Sequence, residues 1–168
     1  MKRMWVLFSL VSLLFAGVAT AAVQQGDLEL AVSGSFEYEN YEAGGNDTFF
    51  TIAARVGYFM TDNIQVSGQA SGSWAPGPDL YGLGVSGRYH FMPANQLVPY
   101  VGAQIEYAWA TGGVGDGLMY GPVVGVRFEL NPRSDFFVEY QFQLFAGDLD
   151  DVFDNVHAVV FGIATEFR

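Results

Sequence analysis

In the stretch Tyr81-Gly82-Leu83-Gly84-Val85-Ser86-Gly87-Arg88-Tyr89-His90-Phe91, polar or small residues alternate with large apolar ones. Tyr81, Leu83, Val85, Tyr89 and Phe91 share one parity; Gly82, Gly84, Ser86, Arg88 and His90 share the other. A repeat of two separates side chains onto opposite faces of an extended strand, whereas a helical repeat of 3.6 would mix the two sets.

The same alternation recurs outward in both directions. Leu28, Leu30, Val32, Phe36 and Tyr38 oppose Glu29, Ser33 and Glu37. Phe50, Ile52, Ala54, Val56 and Tyr58 oppose Thr51 and Arg55. Val101, Ala103, Ile105, Tyr107 and Trp109 oppose Tyr100, Gly102, Gln104 and Glu106. Clusters of Gly, Pro, Asn and Asp punctuate these runs. Eight strands are expected, over about 27–39, 48–60, 64–74, 80–92, 98–110, 118–130, 136–146 and 156–167. The odd-numbered connections are acidic or glycine-rich (40–47, 75–79, 111–117, 147–155), and the even-numbered ones are tight (61–63, 93–97, 131–135). An even number of strands with alternately short and longer connections implies an all-β, eight-stranded, antiparallel up-and-down transmembrane barrel.

The first 22 residues stand outside this pattern. Lys2 and Arg3 precede an apolar run from Trp5 to Ala16, and small residues follow at Ala19-Thr20-Ala21-Ala22. That layout is a secretory signal peptide, giving a division into residues 1–22 (signal) and 23–168 (barrel). Without Lys2 and Arg3, five arginines face eighteen acids. So acidic a chain, lacking lysine, excludes non-specific nucleic-acid binding, which depends on cations at phosphates. Cysteine is absent, so no disulfide or thiolate metal site exists.

Alternation alone does not say which face is inside, because a soluble eight-stranded barrel turns its apolar face inward and a membrane barrel turns it outward. The polar face is rich in Gly, Ser and Gln with a few large charged residues, which suits a lumen just wide enough for side chains to fill. Its arginines, Arg55, Arg88 and Arg127, would cost roughly 2–4 kcal/mol each against lipid at mid-depth, or about 6–12 kcal/mol together. That is comparable to the stability of a whole domain, so the arginine face points inward. Aromatic residues also gather at strand ends. Tyr58, Phe59, Tyr89, Phe91, Tyr100, Phe128, Phe136 and Phe167 lie beside the short turns; Tyr38, Phe50, Trp74, Tyr81, Tyr107, Trp109 and Tyr120 lie toward the long ones. Two such belts match the girdles of membrane barrels.

Arg55-Val56-Gly57-Tyr58-Phe59-Met60-Thr61-Asp62-Asn63-Ile64, and Phe91-Met92-Pro93 followed by Val98-Pro99-Tyr100-Val101-Gly102, resemble the strand–turn–strand signatures of small outer-membrane β-barrels, the group of the OmpA transmembrane domain, OmpX and OmpW. The resemblance implies location in the cell outer membrane, contact with outer-membrane lipid and lipopolysaccharide, and insertion by the barrel-assembly machinery as a monomer. Barrels of this family commonly end on an aromatic residue; here Phe167 is penultimate and Arg168 follows.

Arg55, Arg88 and Glu106, with Arg127 and Glu139 close behind, are expected to form a charge network in the lumen, which either fills it rigidly or gates a narrow path by exchanging partners. Asp148, Asp150, Asp151 and Asp154 in the fourth external loop offer hard oxygen ligands for weak divalent-cation binding, though their spacing departs from an EF-hand. Lipid A deacylases of this architecture need a His–Ser pair with a carboxylate. His90 lies by a short turn, and His157 has no serine two residues on and faces outward. No catalytic residue, resident metal or cofactor is therefore expected. The reading is a non-enzymatic barrel with a structural or surface-contact role, for which the alternatives are a narrow solute channel or, more remotely, a lipid A-modifying acyl enzyme.

Overall fold

The computed structural model describes residues 24–41, 46–74, 79–112 and 115–167; the signal segment assigned to residues 1–22 lies outside them. Eight antiparallel strands, β1 (Leu28–Tyr41), β2 (Asn46–Phe59), β3 (Ile64–Trp74), β4 (Leu80–His90), β5 (Leu97–Ala110), β6 (Gly115–Asn131), β7 (Ser134–Gly147) and β8 (Phe153–Phe167), follow one another in chain order. β8 returns to pair with β1, from Leu28 opposite Phe167 to Tyr38 opposite His157, so the sheet closes into a barrel with no free edge. Closure satisfies the backbone groups of every strand without water, which a hydrocarbon surrounding demands.

Several strands run further than the apolar alternation suggests. β6 spans 17 residues and β8 spans 15, against the 9–11 or so that cross a bilayer core. The excess lies at polar ends such as Gly115-Asp116-Gly117 and Phe153-Asp154-Asn155, where the ladder continues beyond the apolar band. Pairing needs only backbone groups, and side-chain periodicity does not register it.

The faces sort as the arginines require. Leu30, Val32, Ile52, Val56, Leu83, Val85, Val101, Ile105, Val124, Phe161 and Ile163 are all exposed on the outside. Glu29, Gln65, Arg88, Gln104, Glu106, Arg127 and Glu139 are buried within. A protein with its charges inside and its large aliphatic residues outside is built for an apolar solvent. Tyr58, Tyr89, Phe91 and Phe167 are exposed at the short-turn end; Tyr38, Phe50, Trp74, Tyr107, Trp109 and Tyr120 are exposed at the other. Two assignments to the girdle need correction. Phe59 and Tyr100 are 0% and 1% exposed and point into the lumen, because each has the parity of the polar face and height along the strand does not override parity.

Candidate functional site

Near the short turns the lumen is packed solid by three arginines, their carboxylates and aromatic rings. Arg88 on β4 donates from Nε to Glu139 Oε2 on β7 at 2.9 Å and from Nη2 to Oε1 at 3.2 Å, and from Nη1 to Ser86 Oγ at 2.6 Å. Arg127 on β6 reaches Glu29 on β1 (Nη1–Oε2, 2.8 Å), Glu166 on β8 (Nη2–Oε1, 3.1 Å) and Asp135 on β7 (Nε–Oδ2, 3.1 Å). Arg55 on β2 has the loosest hold, 3.5 Å from Nη2 to Glu29 Oε1. Each guanidinium also faces a ring: Arg55 lies 4.9 Å from the centre of Phe137, Arg127 5.6 Å from Phe59 and Arg88 5.9 Å from Tyr100. Pairing and hydrogen bonding make buried charge tolerable, and the rings add cation–π attraction.

The rings fit because facing strands carry glycine. A Cβ at Gly125 would strike the Tyr100 hydroxyl, and one at Gly162 would strike the Phe137 ring. His90 completes the packing between Phe59 and Tyr100, with ring centres 5.4 and 5.2 Å away. Arg55, Gln65, Arg88, His90, Tyr100, Arg127 and Phe137 together leave no space that admits a water molecule. At this level the barrel is shut.

Of the five residues assigned to the lumen network, the structure joins Arg88 to Glu139 directly, and places Arg55 and Arg127 on Glu29. Glu106 stands apart. It accepts from Gln69 Nε2 at 2.8 Å and from the Ser71 hydroxyl, and no ion pair reaches it among the described residues. Glu29, Asp135, Glu166 and the three rings join the network beyond those five. Glu29 and Glu166 have the inward parity, but Asp135 reads as a turn residue until β7 is seen to begin at Ser134.

Above this layer a belt of amides crosses the lumen, with Gln104 Nε2 donating to Gln141 Oε1 and Gln143 Nε2 to the same oxygen, each at 2.8 Å. Higher still the two sides differ. β1–β3 present Ser35, Glu37, Thr51, Ser71 and Ser73, while β4–β8 present Leu80, Ala108, Met119, Phe145, Val156 and Ala158.

The four loop aspartates are not brought together as a metal site. Among the described residues no group of three or more His, Cys, Asp or Glu side chains is arranged to hold an ion. The loop is instead a folded turn: Asp150 N bonds Gly147 O at 3.1 Å, Phe153 N bonds Leu149 O at 2.9 Å, and Gly147 adopts φ +86°. Its purpose in packing is Leu149, which is fully buried against the apolar side of the mouth. His157 lies on the outer face, where its Nδ1 and the Tyr140 hydroxyl share a 2.6 Å hydrogen bond beside Phe142.

No protein-family model and no curated protein sequence matches the chain. Solved structures do. Neisserial surface protein A superposes with a TM-score of 0.71 at 18% identity, covering 85% of this chain and 100% of that one. The N-terminal β-barrel domain of Pseudomonas aeruginosa OprF gives 0.62 at 15% identity over 85% and 98% of the two chains. The attachment invasion locus protein Ail of Yersinia pestis gives 0.55 at 16% over 86% and 100%. The chain thus has the fold of the small eight-stranded outer-membrane β-barrels.

Proposed function

We propose that this protein is a non-enzymatic barrel of the bacterial outer membrane whose lumen is a structural core and whose work is contact at the external surface. One observation carries the reading: the arginine–carboxylate–aromatic layer spans the lumen and leaves no room for water. A solute path would have to break several buried ion pairs at once. The likeness to surface and attachment proteins of the same fold supports an outward-directed role. Lipopolysaccharide and lipid are the surroundings expected of the exposed apolar band, with the acidic loops facing partners outside. The hydrogen bond between the Tyr140 hydroxyl and His157 Nδ1 supports a non-catalytic histidine, since it occupies the nitrogen that a carboxylate would orient in a triad.

The reading is tested on intact cells producing the protein. Protease or a membrane-impermeant label should reach the loop around Asp148–Asp154 from outside, and replacing that loop should abolish cell-surface attachment while leaving the folded barrel intact. Attachment that persists without the external loops would contradict the proposal.

A second reading, a narrow channel gated by partner exchange, is favoured by the loose 3.5 Å contact of Arg55 with a carboxylate that Arg127 already neutralises. Planar-bilayer recording separates the two. Under the gate reading Arg88→Ala conducts more than the parent; under the closed-core reading it does not.

A further inference from the structure

On the outer wall, at the external ends of β3, β4 and β5, aromatic rings form one continuous surface. Trp74 meets Tyr81 edge-on, with ring centres 6.5 Å apart and planes at 89°. Tyr81 lies beside Trp109 at 6.3 Å and 29°, and Trp109 beside Tyr107 at 6.4 Å and 35°. Three rings thus share a similar inclination, and the fourth stands against them as a wall. Glycine makes the seat: a Cβ at Gly72, directly opposite Tyr81, would crowd both the Trp74 indole and the Tyr81 ring. Trp74, Tyr107 and Trp109 are exposed.

The surface ends on a carboxylate. Asp116 pairs directly with Trp109 across the β5–β6 ladder and shares its outward face, and its Oδ2 accepts from the Tyr107 hydroxyl. Asp148 stands next to it, donating its backbone N–H to the Asp116 carbonyl at 3.1 Å. An outward carboxylate belongs above the hydrocarbon, not in it. β4 has 11 residues, about the 9–11 that cross the core, which puts Tyr81 at the outer limit of the apolar band. No positive charge on this side answers the acids. The external connections, 40–47, 75–79, 111–117 and 147–155, contain no Lys, Arg or His, and Arg55, Arg88 and Arg127 are engaged in the lumen.

We propose that this surface of rings and carboxylate docks a basic, arginine-bearing polypeptide segment of a partner. A guanidinium laid over Tyr81 and Trp109 gains cation–π attraction. Its edge turns N–H donors toward Asp116, whose carboxylate accepts more bonds than the one from Tyr107. Lysine supplies the charge without the plane or the fork. An anionic partner, phosphate or sulfate groups included, would meet carboxylates with no cation to hold it. A neutral sugar would lie on the rings but leave the charge of the external loops unused, whereas a basic segment is also steered in by it. The inference rests on the surface-contact reading and names the class of partner that reading needs.

Apart from Trp5 in the segment assigned to the signal peptide, the tryptophans of the chain are Trp74 and Trp109, so their emission reports this surface directly. The protein, purified from membranes into phosphatidylcholine nanodiscs, is titrated with hexa-arginine, hexalysine, hexaglutamate and chitohexaose. Hexa-arginine should change the emission saturably, less so as salt is raised, and should bind at least about threefold more tightly than hexalysine. Hexaglutamate and chitohexaose should have no effect. Asp116→Asn should weaken hexa-arginine about tenfold, and Tyr81→Leu, which keeps both tryptophans, about two- to fivefold. Heat-modifiable gel mobility identifies the folded variants, and either variant alone decides. Affinity unmoved by the variants, equal binding of the two basic peptides, or a response to chitohexaose instead would overturn the proposal. So would quenching of both tryptophans by lipids brominated deep in the acyl chain with no response to peptide, since the rings would then lie in hydrocarbon. If hexa-arginine fails while replacing the loop around Asp148–Asp154 still abolishes attachment, the surface-contact reading stands and this one falls.

Discussion

Arg88 and Glu139 grip each other across the lumen by two parallel bonds, Nε–Oε2 at 2.9 Å and Nη2–Oε1 at 3.2 Å, from strands β4 and β7 that share no edge. The pair ties opposite sides of the barrel together where backbone ladders cannot. Removing one partner strands the other charge. Arg88→Ala should therefore cost about 3–5 kcal/mol, read from urea unfolding in lipid vesicles. The double variant Arg88→Met/Glu139→Leu removes both charges and should recover most of that loss. A single variant as stable as the parent would show that the pair contributes nothing.

Glycines on the two faces should respond oppositely to the same methyl group. At Gly162 a Cβ meets the Phe137 ring and the Val32 carbonyl, so Gly162→Ala should destabilise by about 1–3 kcal/mol through overpacking. At Gly68 and Gly87, which face outward, a Cβ meets nothing within 4 Å. Alanine there should be neutral or stabilising by roughly 0.5–1 kcal/mol. Equal effects at inner and outer glycines would contradict the assignment of faces.

Leu149 anchors the fourth external loop to the barrel mouth, against partners that include Phe145 and Phe153. Leu149→Ala should cost about 2 kcal/mol, at the low end for a buried leucine, and should speed protease cleavage between Asp148 and Val152. Unchanged cleavage would mean that the loop is held by its backbone hydrogen bonds alone.

The strands and faces were legible because both depend on parity. Val85 next to Ser86, or Val56 next to Arg55, states which side of the sheet each side chain takes. The partners in the lumen were less so. Glu29 meets Arg127 because the stagger of the closed sheet brings those levels of β1 and β6 together, and stagger is a property of the whole ring of strands. Glu106 illustrates the limit: its inward face is evident, yet it sits above the arginine layer, among hydroxyls and amides. Phe59 and Tyr100 carried the right signal in their parity, which position near a turn obscured. Leu149 gave no periodic signal, since its burial follows from how the loop folds back.

The central claim is that the aliphatic face meets lipid and the charged face fills the lumen. The chain contains no cysteine, so single cysteines can be placed along β4 and spin-labelled after reconstitution into bilayers. Accessibility to oxygen, which concentrates in hydrocarbon, should be high at Leu83 and Val85 and low at Ser86, while a water-soluble nickel reagent should reach none of the three. High nickel accessibility at Leu83 and Val85, with the protein soluble and folded without detergent, would contradict the account.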